Sequence, residues 1–115
     1  MATIKAYTDI YQSKKLADIL PLESADMYYE PSPGFRTEPS EVKFGDIKYA
    51  HPRSIRCWSL AALLDALSDY TLQTNTDGTV FVVCESKKPM ISDAYSNPVD
   101  ACVDMIIKLH EQNLL

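Results

Sequence analysis

The chain has 115 residues, of which 46 % are hydrophobic and 23 % charged, the balance of one ordinary globular domain rather than a disordered or membrane-embedded chain. Its net charge of −5 is uneven: residues 1–56 hold eight acids and eight bases, whereas residues 57–115 hold eight acids against Lys87, Lys88 and Lys108. That balance argues against nonspecific duplex binding, which depends on neutralising phosphates. The opening MATIKAYTDIYQSKK lacks the apolar run of a signal peptide, and no stretch is long enough for a membrane helix, so a cytoplasmic location is expected.

The first element predicted is a helix starting near Asp9, where Asp9 and Gln12 have capping-box spacing, and ending before Pro21. Leu16, Ala17, Ile19 and Leu20 are its inward residues. Ala25 to Glu30 then alternates as a half-buried strand, with Met27 and Tyr29 on one side and Asp26, Tyr28 and Glu30 on the other. Residues 31–56 carry Pro31, Pro33, Pro39 and Pro52 and read as a long excursion containing a short edge strand, because the alternation at Val42 and Phe44 changes phase after Gly45-Asp46. Excursions of this length in a compact domain are usually functional or mobile.

A second helix is spelled by Leu60, Leu63, Leu64 and Leu67, capped by Ser59, with Trp58 placed to pack on Leu63. Tyr70 to Thr74 and Thr79 to Glu85 flank the turn residues Asn75, Thr76, Asp77 and Gly78, which predicts a hairpin. Its second strand is apolar on both sides and should be central in its sheet. The last helix begins at Asn97-Pro98 and is apolar around most of its circumference, apart from a stripe of Asp100, Asp104, Lys108 and Glu111 that reads as a solvated face. The order α-β-(β)-α-β-β-α predicts an α+β domain with three helices packed mainly on one face of an antiparallel sheet of three to four strands.

Chemistry-bearing residues are sparse. His51 lies six residues before Cys57, and Arg53 and Arg56 could depress a thiol pKa, so a Cys/His enzyme is one reading. The stronger reading makes Cys57 a small buried residue beside a helix cap, and Cys84 and Cys102 buried hydrophobes. Three cysteines without a close pair suit neither a disulfide framework nor a zinc motif, and three scattered glycines build no phosphate loop. No metal or cofactor is expected. Between Tyr28 and Arg56, aromatic and basic residues interleave, and Tyr28, Phe35, Arg36, Tyr49, Arg53 and Arg56 are the candidate partner-binding residues, since Tyr and Arg make protein hot spots. The same residues could form a platform for single-stranded nucleic acid, although Glu30, Glu38, Glu41 and Asp46 interrupt it.

Three phrases, QSKKLADILPLESADMYY at 12–29, CWSLAALLDAL at 57–67 and NPVDACVDMIIKLHEQNLL at 97–115, resemble a group of small proteins of gut Bacteroidales and their phages or mobile elements. The resemblance covers nearly half the chain and all three predicted helices. It implies a provenance and a shared fold but no activity, and a phage setting favours a noncatalytic accessory protein that binds a host or phage protein.

Overall fold

The computed structural model describes residues 5–30, 41–44, 55–67, 70–84 and 89–113. Its elements run α1 (Ile10–Ala17), a 3-10 turn (Leu22–Ser24), β1 (Met27–Glu30), β2 (Glu41–Phe44), β3 (Ile55–Cys57), α2 (Leu60–Ala66), β4 (Tyr70–Thr74), β5 (Val80–Cys84), β6 (Met90–Ile91) and α3 (Pro98–Glu111). The α+β class expected from the sequence is the one observed. Its strands, however, divide into two antiparallel three-stranded sheets, β2-β1-β3 and β4-β5-β6, where the sequence pointed to one. The reason lies in two strands too short for a periodic signal: β3 reads as the run-in to a helix cap, and β6 has two residues. Each widens a strand pair to three strands, and no pairing among the described residues joins the two.

All three helices start where local chemistry dictates. Asp9 accepts the Gln12 amide at 2.8 Å while the Gln12 side chain accepts the Asp9 amide at 3.1 Å, a reciprocal capping box. Ser59 caps α2 by accepting the Ala62 amide, and its own backbone amide and hydroxyl are both held by Asp26. Asn97 accepts the Asp100 amide at 2.9 Å ahead of Pro98 at the first turn.

The main core gathers Leu16 within α1 and Leu20 after it, Trp58, Leu63 and Leu67, Val82 of β5, and Val99, Ala101, Cys102, Val103, Met105, Ile106 and Leu109 of α3. α3 lies against β5, α2 and α1, which is why it is apolar nearly all round. A second cluster, Met27, Tyr29 and Cys57 with Ile10 and Ile55, lies where α1 packs on the β3 side of the first sheet. α1 and α3 thus each serve a sheet and the core at once, while α2 packs on α3.

The polar stripe of α3 requires a correction, because two of its carboxylates fasten other segments instead of meeting solvent. Asp100 accepts from Lys5 Nζ, Gln12 Nε2 and Asn97 Nδ2, each at 2.7 Å, tying the N-terminal segment and α1 to the start of α3. Burial opposes the charge of Asp100, but these hydrogen bonds and the Lys5 ammonium outweigh it and hold its pKa below the ordinary value. Asp104 accepts the Asp93 amide at 2.9 Å and pairs with Lys108 at 3.1 Å.

Deleting residues 97–115 should leave a chain that is unfolded or aggregated, as read by circular dichroism and calorimetry. Burial of each large α3 side chain is worth about 1.5 to 3 kcal/mol, against a whole-domain stability of about 5 to 15 kcal/mol. Asp104→Ala should fold and lose only about 0.5 to 1 kcal/mol, because the Asp93 amide it releases is exposed to water and Lys108 keeps Asp93 as a partner at 3.5 Å. A truncated chain that melts cooperatively near the full-length temperature would place α3 outside the core.

Candidate partner-binding face

Strand β1 is the middle of the first sheet, so its residues meet neighbours on both sides: Tyr28 stands opposite Lys43 of β2 and Arg56 of β3. Alternation sends Met27, Tyr29 and Cys57 to the α1 side and leaves Tyr28 and Arg56 together on the other. Two of the six candidate residues therefore form a cross-strand pair. Tyr28 is buried, 8 % exposed, on a strand flanked on both sides, where the sequence pattern alone suggested an outward ring. Arg56 is half-buried, and its Nη1 is shielded from water without a hydrogen-bond acceptor among the described residues. Phe35, Arg36, Tyr49 and Arg53 lie outside the described residues, as does His51.

The opposite side of that sheet holds a polar cluster inside the protein. Thr8 is at its centre: its backbone amide donates to the Trp58 carbonyl at 3.0 Å, its hydroxyl accepts the Trp58 amide at 3.1 Å, and it lies 2.7 Å from the Ser13 hydroxyl. The Tyr29 hydroxyl donates to the Thr8 carbonyl at 2.7 Å, and the Tyr29 ring meets Tyr7 edge-on with centroids 6.3 Å apart. Cys57 Sγ lies 3.5 Å from Thr8 Oγ1 and 3.4 Å from the Thr8 carbonyl oxygen. Backbone bonds from Thr8 to Trp58 and from Leu60 to Ala6 fix the N-terminal segment beside Trp58, Ser59 and Leu60.

This environment bears directly on the Cys/His reading. Burial pushes the Cys57 thiol above its ordinary pKa, against the lowering effect of hydrogen bonds from Thr8, Ser13 and Tyr29. Burial likewise raises Tyr29, with the Cys57 and Tyr7 charges acting in the same direction. A nucleophilic cysteine needs the reverse: exposure and a depressed pKa. Cys102 is pushed up to about 11 by burial, and all three cysteines are buried and unpaired in disulfides. Among the described residues, no three His, Cys, Asp or Glu side chains gather into a group that could hold a metal ion.

Sequence reasoning did not reach Thr8, Ser13, Asp26 or the inward role of Asp100. Their partners lie 49, 33 and 95 residues away in the cases of Thr8 with Cys57, Asp26 with Ser59 and Asp100 with Lys5, so no local spacing announces them. No helix among the described residues is long and apolar enough to cross a membrane. No protein-family model, curated protein or solved structure matches the chain.

The thiols give a direct readout of this geometry. In the native protein, an aromatic disulfide reagent should react with none of the three cysteines over minutes, and with all three once denaturant is added. One thiol reacting within seconds under native conditions, abolished by Cys57→Ser, would restore the nucleophile reading.

Proposed function

We propose that this chain is a noncatalytic protein that acts by binding another protein through the region from Tyr28 to Arg56. The observation that carries the reading is the Arg56 guanidinium, whose water-shielded Nη1 lacks an acceptor among the described residues beside the buried Tyr28 ring. A buried charged donor left unsatisfied costs more than a neutral one, and a partner that displaces what covers Nη1 and brings a carboxylate or carbonyl relieves that cost. Arginine next to tyrosine is also the composition that carries binding energy in protein interfaces.

A protein partner fits the charge distribution better than a nucleic acid, since the region holds acids among its bases and the rest of the chain is acidic. The resemblance of the helical phrases to proteins of gut Bacteroidales and their phages supports a host or phage protein as the partner. The cytoplasm is the proposed place of action.

The test uses three baits in a Bacteroidales lysate: the intact chain, Arg56→Ala, and a chain with residues 31–40 replaced by Gly and Ser. Proteins recovered by the intact bait and lost from both variants, at unchanged melting temperatures, are the expected result, and a purified partner should bind Arg56→Ala at least about tenfold more weakly. Equal recovery by all three sinks the reading. Oligonucleotide binding that weakens with salt would replace it with nucleic-acid recognition.

A further inference from the structure

Residues 5–8 are joined to the rest of the protein almost wholly by polar bonds. Thr8 is buried, but Ala6 and Tyr7 are exposed and Lys5 is half-buried, so the segment adds little of the apolar burial that makes a core costly to open. Its backbone runs beside residues 57–60 instead. The Leu60 amide donates to the Ala6 carbonyl at 3.0 Å, the Thr8 amide to the Trp58 carbonyl at 3.0 Å, and the Trp58 amide to the Thr8 hydroxyl at 3.1 Å. Water can replace the partner in each of these bonds.

Two parts of the structure nevertheless depend on this segment. The Thr8 carbonyl accepts the Tyr29 hydroxyl at 2.7 Å, and the carbonyl and hydroxyl oxygens of Thr8 lie 3.4 and 3.5 Å from Cys57 Sγ, so Thr8 walls off both side chains. The Leu60 amide is the first of α2, one of the donors that a helix start leaves without an internal partner, and Ala6 supplies its acceptor. At the head of the segment, Lys5 Nζ lies 2.7 Å from Asp100 and 3.2 Å from Asp9. The Lys5 and Asp100 side chains are 25 % and 27 % exposed, which protects their attraction from full screening by water and salt.

We infer that residues 5–8 are a strap that opens and closes as one unit while the core around α3 stays folded, with the Lys5–Asp100 pair as its latch. Opening lifts the Thr8 oxygens off Tyr29 and Cys57 and frees the amides of Trp58 and Leu60. The elements on either side survive it. Asp100 keeps Gln12 and Asn97 as donors when Lys5 leaves, so the start of α3 is held, and Asp9 still caps α1 through its reciprocal bonds with Gln12. The strap therefore hinges between Thr8 and Asp9, and it gates solvent access to the Cys57 thiol.

Hydrogen exchange at rising, sub-denaturing urea separates strap opening from unfolding, because the slope of an opening free energy with denaturant follows the surface exposed. The amides of Thr8, Trp58 and Leu60 should share one opening free energy that lies below that of the amides from Cys102 to Leu109 and hardly changes with urea. Over hours, iodoacetamide should label Cys57 ahead of Cys102 with the same shallow dependence. Lys5→Met should speed exchange of the three strap amides by one common factor of at least about threefold. Ile106→Val should speed the α3 amides about fivefold and leave the strap amides as they were, because Ile106 stays packed when the strap is open. Strap amides that follow Ile106→Val, that show the urea slope of α3 or that ignore Lys5→Met would each overturn the proposal, as would equal labelling rates at Cys57 and Cys102.

Discussion

Everything described in this protein depends on the burial of α3. A helix apolar on nearly all sides can be stable in water only when neighbours surround it, and here β5, α2 and α1 do so. The second sheet would otherwise expose the face of Val82 and Cys84, and α1 and α2 would have no common wall. The start of the helix extends the same constraint to polar groups. Asp100, in the first turn, satisfies the helix dipole and at the same time gathers Lys5, Gln12 and Asn97, so the chain's beginning is fastened to its last helix.

The first sheet is held by a different means. Its buried side is small, and polar bonds complete it: Thr8 links Trp58, Ser13, Cys57 and Tyr29, and Asp26 holds the cap residue Ser59. Trp58 joins the two parts, since its ring is fully buried in the main core while its indole nitrogen donates to Ser24 at 2.9 Å. A buried, satisfied network of this sort specifies a single arrangement more than it adds stability. It also explains why a cysteine flanked by arginine in sequence becomes a buried, hydrogen-bonded thiol in space.

The helix starts at Asp9, Ser59 and Asn97 were legible because capping chemistry is local, and the hairpin around Asn75 to Gly78 was legible because turn residues separate two strand-forming runs. The central place of β5 followed from apolar residues on both faces. What escaped was nonlocal. The third strand of each sheet, β3 or β6, has only three or two residues, and β1 has neighbours on both sides, which its own alternation does not reveal. Asp100 and Asp104 looked like a solvated stripe because their spacing matches one, and only distant donors distinguish the two cases. Of the proposed binding residues, the pairing of Tyr28 with Arg56 could have been guessed only with β3 in hand, and Phe35, Arg36, Tyr49 and Arg53 lie outside the described residues.

Native-state hydrogen exchange, read residue by residue under conditions where closing outpaces exchange, tests the central role of α3 most directly. The account predicts that amides from Cys102 to Leu109 and those of Phe81 and Val83 in β5 exchange only through global unfolding, sharing one opening free energy, while the amides of Leu72 and Thr74 in the edge strand β4 exchange far faster. If the α3 amides instead open locally, at a free energy well below that of β5, the helix is a peripheral attachment and the account is contradicted.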